Sequence, residues 1–178
     1  MYNLENMGKW YALFVMTGEE EKVKERLLYR FRGRDDLKIV VPMRKIRERR
    51  NGIWEVRLKT LFPGYILYNG IMETEDYYNM KEVPGLLRVL KNEYEPLEIH
   101  YDEIYVISRL MCNGEIIGTS TLYKSVEKII VVDGPLVGLE GLIESVDARK
   151  GRAKIRLNFL GEPRLADLDI NMIQIAKI

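Results

Sequence analysis

The sequence has few of the residues that catalytic and metal sites most often use. It contains one cysteine, Cys112, and one histidine, His100, among 178 residues. A lone cysteine cannot form an internal disulfide, and two residues cannot complete a zinc site of cysteine and histidine ligands. The GxSxG pattern of a nucleophilic serine and the GxxxxGK[ST] phosphate loop are both missing. The composition therefore predicts a protein that is not an enzyme and that carries no metal or cofactor.

Long apolar runs and an excess of one charge are missing as well. No run of about 18 apolar residues occurs, so no membrane span or membrane partner is expected. The 28 basic and 27 acidic side chains give a formal net charge of +1. A near-neutral chain excludes a uniformly basic coat for nucleic acid, although local basic patches remain possible. The N-terminus lacks the apolar core of a secretion signal, which together with the single cysteine predicts a cytoplasmic protein.

The first two thirds of the chain alternate between strand-like and helix-like segments. Residues 9–16 are aromatic and β-branched, whereas Val23 and Leu27 recur at helical spacing. Thr17 and Glu20 fit a capping box at the start of that helix. The predicted order is β-α-β-β-β-α-β-α, with strands at 9–16, 38–42, 53–58, 61–68 and 86–90. This order predicts an α+β fold in which helices cover one face of a mostly antiparallel sheet.

The last third predicts a small all-β domain. Residues 113–125 lose periodicity and are rich in glycine, serine and threonine, which indicates a linker. The turn at Asp133-Gly134-Pro135 separates two apolar runs, as the corner of a very small β-barrel requires. Five short strands are predicted, at about 127–133, 139–147, 152–159, 164–168 and 172–177. The chain is therefore divided into a domain over 1–112, a linker over 113–125 and a five-stranded barrel over 126–178.

Four motifs, taken in order, resemble those of a known family. They are Lys9-Trp10-Tyr11-Ala12-Leu13, Phe62-Pro63-Gly64-Tyr65, Val83-Pro84-Gly85 and the KOW-like stretch 129–143. Together they resemble the NusG family of transcription factors over residues 9–177. The chain looks most like the specialised LoaP-type paralogs, since a basic hairpin follows its glycine-rich turn. The resemblance implies an NGN-like N-terminal domain with an antiparallel sheet and helices, and a C-terminal SH3-like KOW barrel.

The resemblance also implies how the first domain binds RNA polymerase. In the family, an apolar depression on the NGN sheet contacts the clamp helices of the β′ subunit. The positions that match this contact surface are Phe14, Phe62, Tyr65, Leu67 and Val89. Aromatic and aliphatic side chains on one sheet face give a helix pair a rigid anchor. Since strand residues alternate between faces, the sequence leaves open which of the five face a partner and which belong to the core.

Two basic runs are the candidates for nucleic-acid binding. One run adjoins the hairpin signal Asn51-Gly52, and it consists of Arg44, Lys45, Arg47, Arg49 and Arg50. The other consists of Arg149, Lys150, Arg152, Lys154 and Arg156. In a strand, the last three cations would share one face. We expect the first run to contact DNA or RNA phosphates near the upstream fork and the second to contact RNA. A solvated loop and a lysine-protected strand edge are the competing interpretations.

Taken together, these features predict a monomeric elongation and antitermination factor. It would bind polymerase through the first domain and a structured leader RNA through the barrel, with upstream DNA as a further expected partner. Housekeeping NusG proteins contact the termination factor Rho and a ribosomal protein through a Gly-Arg-x-Thr-Pro turn and a phenylalanine. The matching positions here are Gly161-Glu162-Pro163-Arg164 and Ile170, which favours another cargo. Two alternatives stay open: a housekeeping NusG, and an RNA-binding protein that acts without polymerase and is loosely similar to an RRM.

Overall fold

The chain folds into two units, and the computed structural model describes residues 8–112 and 114–174. The first unit comprises residues 8–42 and Thr60–Ile104, and the second comprises Met43–Lys59 and the described residues from Tyr105 onward. The strands are β1 (Trp10–Val15), β2 (Lys38–Val40), β3 (Met43–Arg50), β4 (Ile53–Thr60), β5 (Tyr65–Asn69), β6 (Leu86–Val89), β7 (Ile116–Ile117), β8 (Ser120–Lys124), β9 (Ile129–Asp133), β10 (Ile143–Asp147), β11 (Arg152–Phe159) and β12 (Glu162–Met172). The helices are α1 (Glu20–Arg30), α2 (Thr74–Lys81) and α3 (Tyr101–Met111). Within the described residues, no helix is long and apolar enough to cross a membrane.

A four-stranded antiparallel sheet organises the first unit. Its strand order is β2-β5-β1-β6, so β5 and β1 are central. Apolar side chains of these two strands are buried, including Leu13 and Ile66. Helix α1 contributes Val23 and Leu27 to the core, as their helical spacing predicts. The predicted α+β architecture is confirmed for this unit.

The β3–β4 hairpin forms a separate sheet. Asn51 and Gly52 both have positive φ angles, 47° and 82°, as a two-residue hairpin turn of the Asn-Gly type requires. The sheet order is β4-β3-β7, with β7 parallel to β3. The sequence predicts this hairpin as part of an N-terminal domain ending at residue 112. The structure instead groups Met43–Lys59 with the C-terminal strands, because β3 packs against β12.

A curled five-stranded half-barrel, with strand order β10-β11-β12-β8-β9, organises the second unit. Every second residue of β11 is buried, which confirms the predicted alternation of that strand. The predicted strands at 164–168 and 172–177 are one strand, β12, because no turn interrupts them; residues 175–177 lie outside the described residues.

The fifth strand of the half-barrel comes from the predicted linker. Strands β7 and β8 both lie within residues 113–125, and β8 pairs with β12 and β9. The prediction of a linker there is therefore wrong for 116–117 and 120–124. Its composition misleads because threonine, although common in loops, also favours strands.

Candidate functional surfaces

Phe14 and Tyr65 lie side by side on one face of the four-stranded sheet. They are partners in the β1–β5 ladder, and their ring centroids are 5.4 Å apart with the planes at 55°. Arg88 is the partner of Phe14 on β6, and its guanidinium carbon lies 5.4 Å from the centre of the Phe14 ring. This distance is within the range of a cation–π contact. Both rings are half-buried and Arg88 is exposed, so the three side chains form an accessible surface, called here the aromatic surface.

The other three residues predicted to contact polymerase are core residues. Phe62, Leu67 and Val89 are 4%, 0% and 3% exposed. Val89 is opposite Leu13 in the β1–β6 ladder, one position along from the pair formed by Phe14. Because adjacent strand residues point to opposite faces, Val89 lies on the face away from the aromatic surface. The structure thus corrects the prediction that these three side chains form part of an accessible contact surface.

A buried carboxylate holds the turn that precedes Tyr65. Glu20 is buried at the start of α1, and its two oxygens accept hydrogen bonds from the backbone N–H groups of Gly64, at 2.7 Å, and Gly18, at 2.9 Å. Gly64 has a φ of +84°, and a Cβ there would lie 3.4 Å from Cε2 of Phe14. Glu20 therefore joins the β1–α1 turn to the turn before β5 and fixes Tyr65 beside Phe14.

In the second unit, the buried carboxylate of Asp169 binds two of the cations predicted to contact nucleic acid. It accepts hydrogen bonds from Nε of Arg47 at 2.9 Å and from Nη1 of Arg152 at 3.2 Å. The Thr119 hydroxyl donates to it at 2.8 Å, and the backbone N–H of Arg47 donates at 3.3 Å. Arg47 also donates from Nη2 to the Ile170 carbonyl at 2.8 Å. This cluster joins the β3–β4 hairpin to β12 and β11.

Arg44 is a third cation that makes internal contacts. Its Nη1 donates to the Asp167 carbonyl at 2.6 Å, and burial lowers the pKa of its guanidinium from the usual value. The prediction that Arg44, Arg47 and Arg152 are free to bind phosphates is therefore corrected: their guanidinium groups fasten the hairpin to the half-barrel. Lys45 is half-buried on β3 between these contacts.

The outer face of β11 carries the remaining strand cations. Lys154 and Arg156 are exposed, as the alternation of this strand predicts. Arg156 donates a hydrogen bond to Glu144 on β10. Lys154 makes no salt bridge with any residue in the described part of the chain. On this face, Lys154 is therefore the cation whose charge is most available to a ligand.

The ends of the two basic runs meet in one groove, called here the basic groove. Arg49 and Arg50, at the end of the hairpin, line one side, and Arg149 and Lys150, in the β10–β11 turn, line the other. All four side chains are exposed. Trp54 of β4 also lines the groove. The structure thus brings together two runs that are about 100 residues apart in the sequence.

Two acidic residues also line the basic groove, and both already have cationic neighbours. Lys59 donates a hydrogen bond to Glu48, which holds the pKa of this carboxyl below its usual value. Asp147 accepts a hydrogen bond from the backbone N–H of Lys150 at 2.9 Å, and it lies 3.9 Å from the Lys150 ammonium. The groove therefore stays positive at its rim.

Sequence reasoning did not find Trp54. The residue lies in the segment predicted as the second strand of the hairpin. In a strand, an aromatic side chain is usually expected on a buried face. Its side chain is instead 55% exposed. A signal was available, because Trp54 follows the Asn51-Gly52 turn by only two residues and so lies at the tip beside Arg49 and Arg50.

The fold and the two surfaces define a class of protein: a two-unit α+β protein with an aromatic surface on one unit and a basic groove on the other. A family model described as "Transcription termination factor nusG" matches residues 8–108, more than half of the chain. The chain belongs to the NusG family.

Curated relatives resemble the chain over nearly its whole length. The transcription termination/antitermination protein NusG of Rickettsia felis is 27% identical, and the match covers 96% of this chain and 91% of the relative. The protein of the same name from Bacillus subtilis is 28% identical, with 92% and 96% covered. A solved structure concerning domain interaction in Thermotoga maritima NusG is 25% identical, with a TM-score of 0.57 and 90% and 93% covered.

Proposed function

We propose that this chain is a transcription elongation and antitermination factor of the LoaP type. In this proposal the aromatic surface binds the clamp helices of the RNA polymerase β′ subunit, and basic residues of the second unit bind a structured leader RNA. The factor acts in the cytoplasm as a monomer and catalyses no reaction. Upstream DNA is a further expected ligand of the basic hairpin.

The observation that carries the polymerase contact is the pairing of Phe14 with Tyr65. Two aromatic rings in contact on a sheet face supply a rigid apolar anchor at little cost in side-chain entropy. Arg88 adds a cation beside the rings, which suits a partner that carries acidic side chains around an apolar ridge. Glu20 fixes the turn beneath the rings and so reduces the reorganisation that binding would require.

Substitution of Tyr65 tests this contact. Tyr65→Asp places a charge in the apolar surface and should weaken binding of the full chain to core RNA polymerase by roughly 30-fold or more. Tyr94→Asp is the matched control, because Tyr94 is almost fully exposed in the same unit. Affinity is measured by titration of labelled protein, and thermal unfolding checks that both variants fold. Equal affinities of the two folded variants would contradict the polymerase contact.

The RNA contact is supported by the clustering of cations in residues 113–178, a segment with nine basic and nine acidic side chains in total. Lys154 on β11 and Arg149 in the adjacent turn are both exposed and make no salt bridge within the described residues. The position that matches the phenylalanine of housekeeping members is Ile170, which is buried in β12 and donates its N–H to the Gly151 carbonyl at 3.0 Å. A buried side chain offers no contact to Rho or a ribosomal protein, and this favours RNA as the ligand.

Salt dependence tests the RNA contact. RNA ligands are first selected by the purified full chain from a random pool. The double variant Arg149→Ala, Lys154→Ala should then flatten the plot of log affinity against log salt by roughly 0.7–0.9 per lost phosphate contact. The matched control is Lys124→Ala, Lys128→Ala, which removes two exposed cations from the β8–β9 hairpin. An unchanged slope in the test variant, or failure to select any RNA, would overturn RNA binding.

A housekeeping NusG function is the second candidate, because the curated relatives bear the name transcription termination/antitermination protein. That function requires the second unit to bind Rho. Titration of the purified chain with Rho separates the two candidates, since binding in the micromolar range or tighter would favour the housekeeping function.

A further inference from the structure

Trp54 is an exposed indole among cations. It is the second residue of β4, which is an edge strand of the three-stranded sheet. Its side chain lines the basic groove together with Arg49 and Arg50 on its own hairpin and Arg149 and Lys150 on the facing turn. A positively charged groove that contains an accessible aromatic ring is the arrangement with which proteins hold single-stranded nucleic acid, because the cations follow the phosphates and the ring stacks on a base.

Two cations of the groove rim have no internal salt bridge among the described residues, whereas a third, Lys150, lies 3.9 Å from the Asp147 carboxylate. Arg50 and Arg149 make no hydrogen bond or salt bridge through their side chains within residues 8–112 and 114–174. Arg49 donates only to the Gly52 carbonyl of its own turn, at 3.1 Å. The acidic neighbour Glu48 is occupied by Lys59. At Arg50 and Arg149, a phosphate chain entering the groove would therefore meet positive charge without first having to displace a salt bridge of either side chain.

The two sides of the groove are held at a fixed separation. The Asp169 cluster binds Arg47 of the hairpin and Arg152 at the start of β11, directly after the facing turn. The turn also approaches the hairpin closely, since a Cβ on Gly151 would lie 3.4 Å from Nη2 of Arg47. A ligand that spans both sides therefore finds them in place, which reduces the ordering cost of binding.

A protein partner is the competing occupant of this region. Val56 and Leu58 lie on the same face of β4 as Trp54 and are also exposed, so the strand presents apolar surface beyond the groove. The groove itself differs from that surface, because four exposed cations surround Trp54 there. Charge complementarity thus favours a polyanion with aromatic bases over an apolar protein surface.

We propose that the basic groove binds a single-stranded segment of nucleic acid and that Trp54 stacks on one of its bases. The inference deepens the proposed RNA binding and rests on it, but adds a requirement of its own: the ligand must present an unpaired base, and the hairpin must take part together with the half-barrel. Both nascent RNA and an exposed DNA strand have this chemistry.

Indole fluorescence of the full chain tests the stacking directly. The chain has two tryptophans, and Trp10→Phe leaves Trp54 as the only one. Nε1 of Trp10 is buried without a hydrogen-bond partner among the described residues, so this change removes no hydrogen bond. The probes are 12-nucleotide oligouridine and oligoadenosine, their DNA counterparts, and an abasic RNA backbone of equal charge. Stacking should quench Trp54 emission with the base-bearing probes and leave it unchanged with the abasic backbone at equal occupancy.

Affinity measurements on the wild-type background complete the test. Trp54→Ala should weaken oligonucleotide binding about tenfold, whereas Trp54→Phe should keep most of the affinity because it keeps an aromatic face. The matched control Leu58→Ala removes another exposed apolar side chain of the same strand face and should change little. Tighter binding of RNA or of DNA identifies which source supplies the strand.

Two results separate failure of this inference from failure of the proposed function. If the oligonucleotides bind, depend on Arg149 and leave Trp54 emission unchanged, the stacking is overturned and the proposed RNA binding stands. If no nucleic acid binds but Trp54→Ala weakens binding to RNA polymerase, the groove belongs to a protein contact and both claims about nucleic acid are overturned.

Discussion

Glu20 in the first unit and Asp169 in the second are both buried carboxylates, yet different donors stabilise them. Glu20 accepts hydrogen bonds from two backbone N–H groups, those of Gly18 and Gly64. Asp169 accepts hydrogen bonds from the guanidinium groups of Arg47 and Arg152, besides those from the Thr119 hydroxyl and the Arg47 backbone N–H. Each acid lies beneath one candidate surface, Glu20 under the aromatic surface and Asp169 under the basic groove.

The difference shows what each surface requires. The backbone N–H groups that bind Glu20 carry no net charge. Substitution of Glu20 therefore loosens a turn but leaves no buried charge without a partner. Arginine donors carry their own charge, so removal of Asp169 leaves cations without a counter-ion in a partly buried site. We therefore expect the second unit to depend more strongly on its acid than the first.

Asp169→Ala should have the largest effect on stability. The loss of a buried partner typically costs about 3–5 kcal/mol, and we expect about 3 kcal/mol because Arg47 keeps some access to water. Urea unfolding measures this free energy. Hydrogen exchange should also become faster in β3, since the hairpin loses its fastening to β12. The control Glu162→Ala removes an exposed acid of the same strand, and the loss of its exposed ion pair with Arg164 should cost less than about 1 kcal/mol. Similar losses in the two variants would remove the distinction between them.

Local sequence signals predict most of the elements but not the contacts of these two acids. The Asn51-Gly52 turn and the alternation of β11 are confirmed because each depends on neighbouring residues. Asp169 contacts Arg47 across 122 positions, and no pattern in either segment reports the other. From sequence alone, a basic run is therefore assigned to phosphate binding even when the folded protein uses some of its cations for internal contacts.

Strand phase accounts for the error at Val89. Sequence reasoning identifies residues 86–90 as an apolar strand but cannot decide which positions share the face of Phe14. The strand register places Arg88 on the same face as Phe14 and Val89 on the opposite face. The pattern Thr17-x-x-Glu20 predicts a helix capped at Thr17, but α1 begins at Glu20 with Glu19 as its N-cap. No side-chain capping bond forms, and the carboxylate of Glu20 reaches Gly64 instead.

Glu20→Gln should have an intermediate effect. The amide retains one acceptor oxygen but loses the charge that strengthens both hydrogen bonds, and we expect a loss of about 1.5 kcal/mol. The matched control is Glu21→Gln, which removes an exposed charge from the same first turn of α1 and loses only its interaction with the helix dipole, about 0.5 kcal/mol. Urea unfolding compares the two variants. Polymerase affinity should fall in Glu20→Gln and stay unchanged in Asp169→Asn, since only Glu20 positions Tyr65.

Arg156→Ala should have the smallest effect on stability. It tests whether the burial of an ion pair, rather than its charge, determines how much stability the pair contributes. Arg156 on β11 donates a hydrogen bond to Glu144 on the neighbouring strand β10, just as Arg152 donates to Asp169 on β12. The side chains of Arg156 and Glu144, however, both reach solvent. Exposed pairs contribute about 0–1 kcal/mol because water and salt screen them. We expect a loss of stability below about 0.5 kcal/mol in urea unfolding, with little change when salt is added. A loss as large as that of Asp169→Ala would mean that cross-strand charge pairing, and not desolvation of the acid, stabilises the second unit.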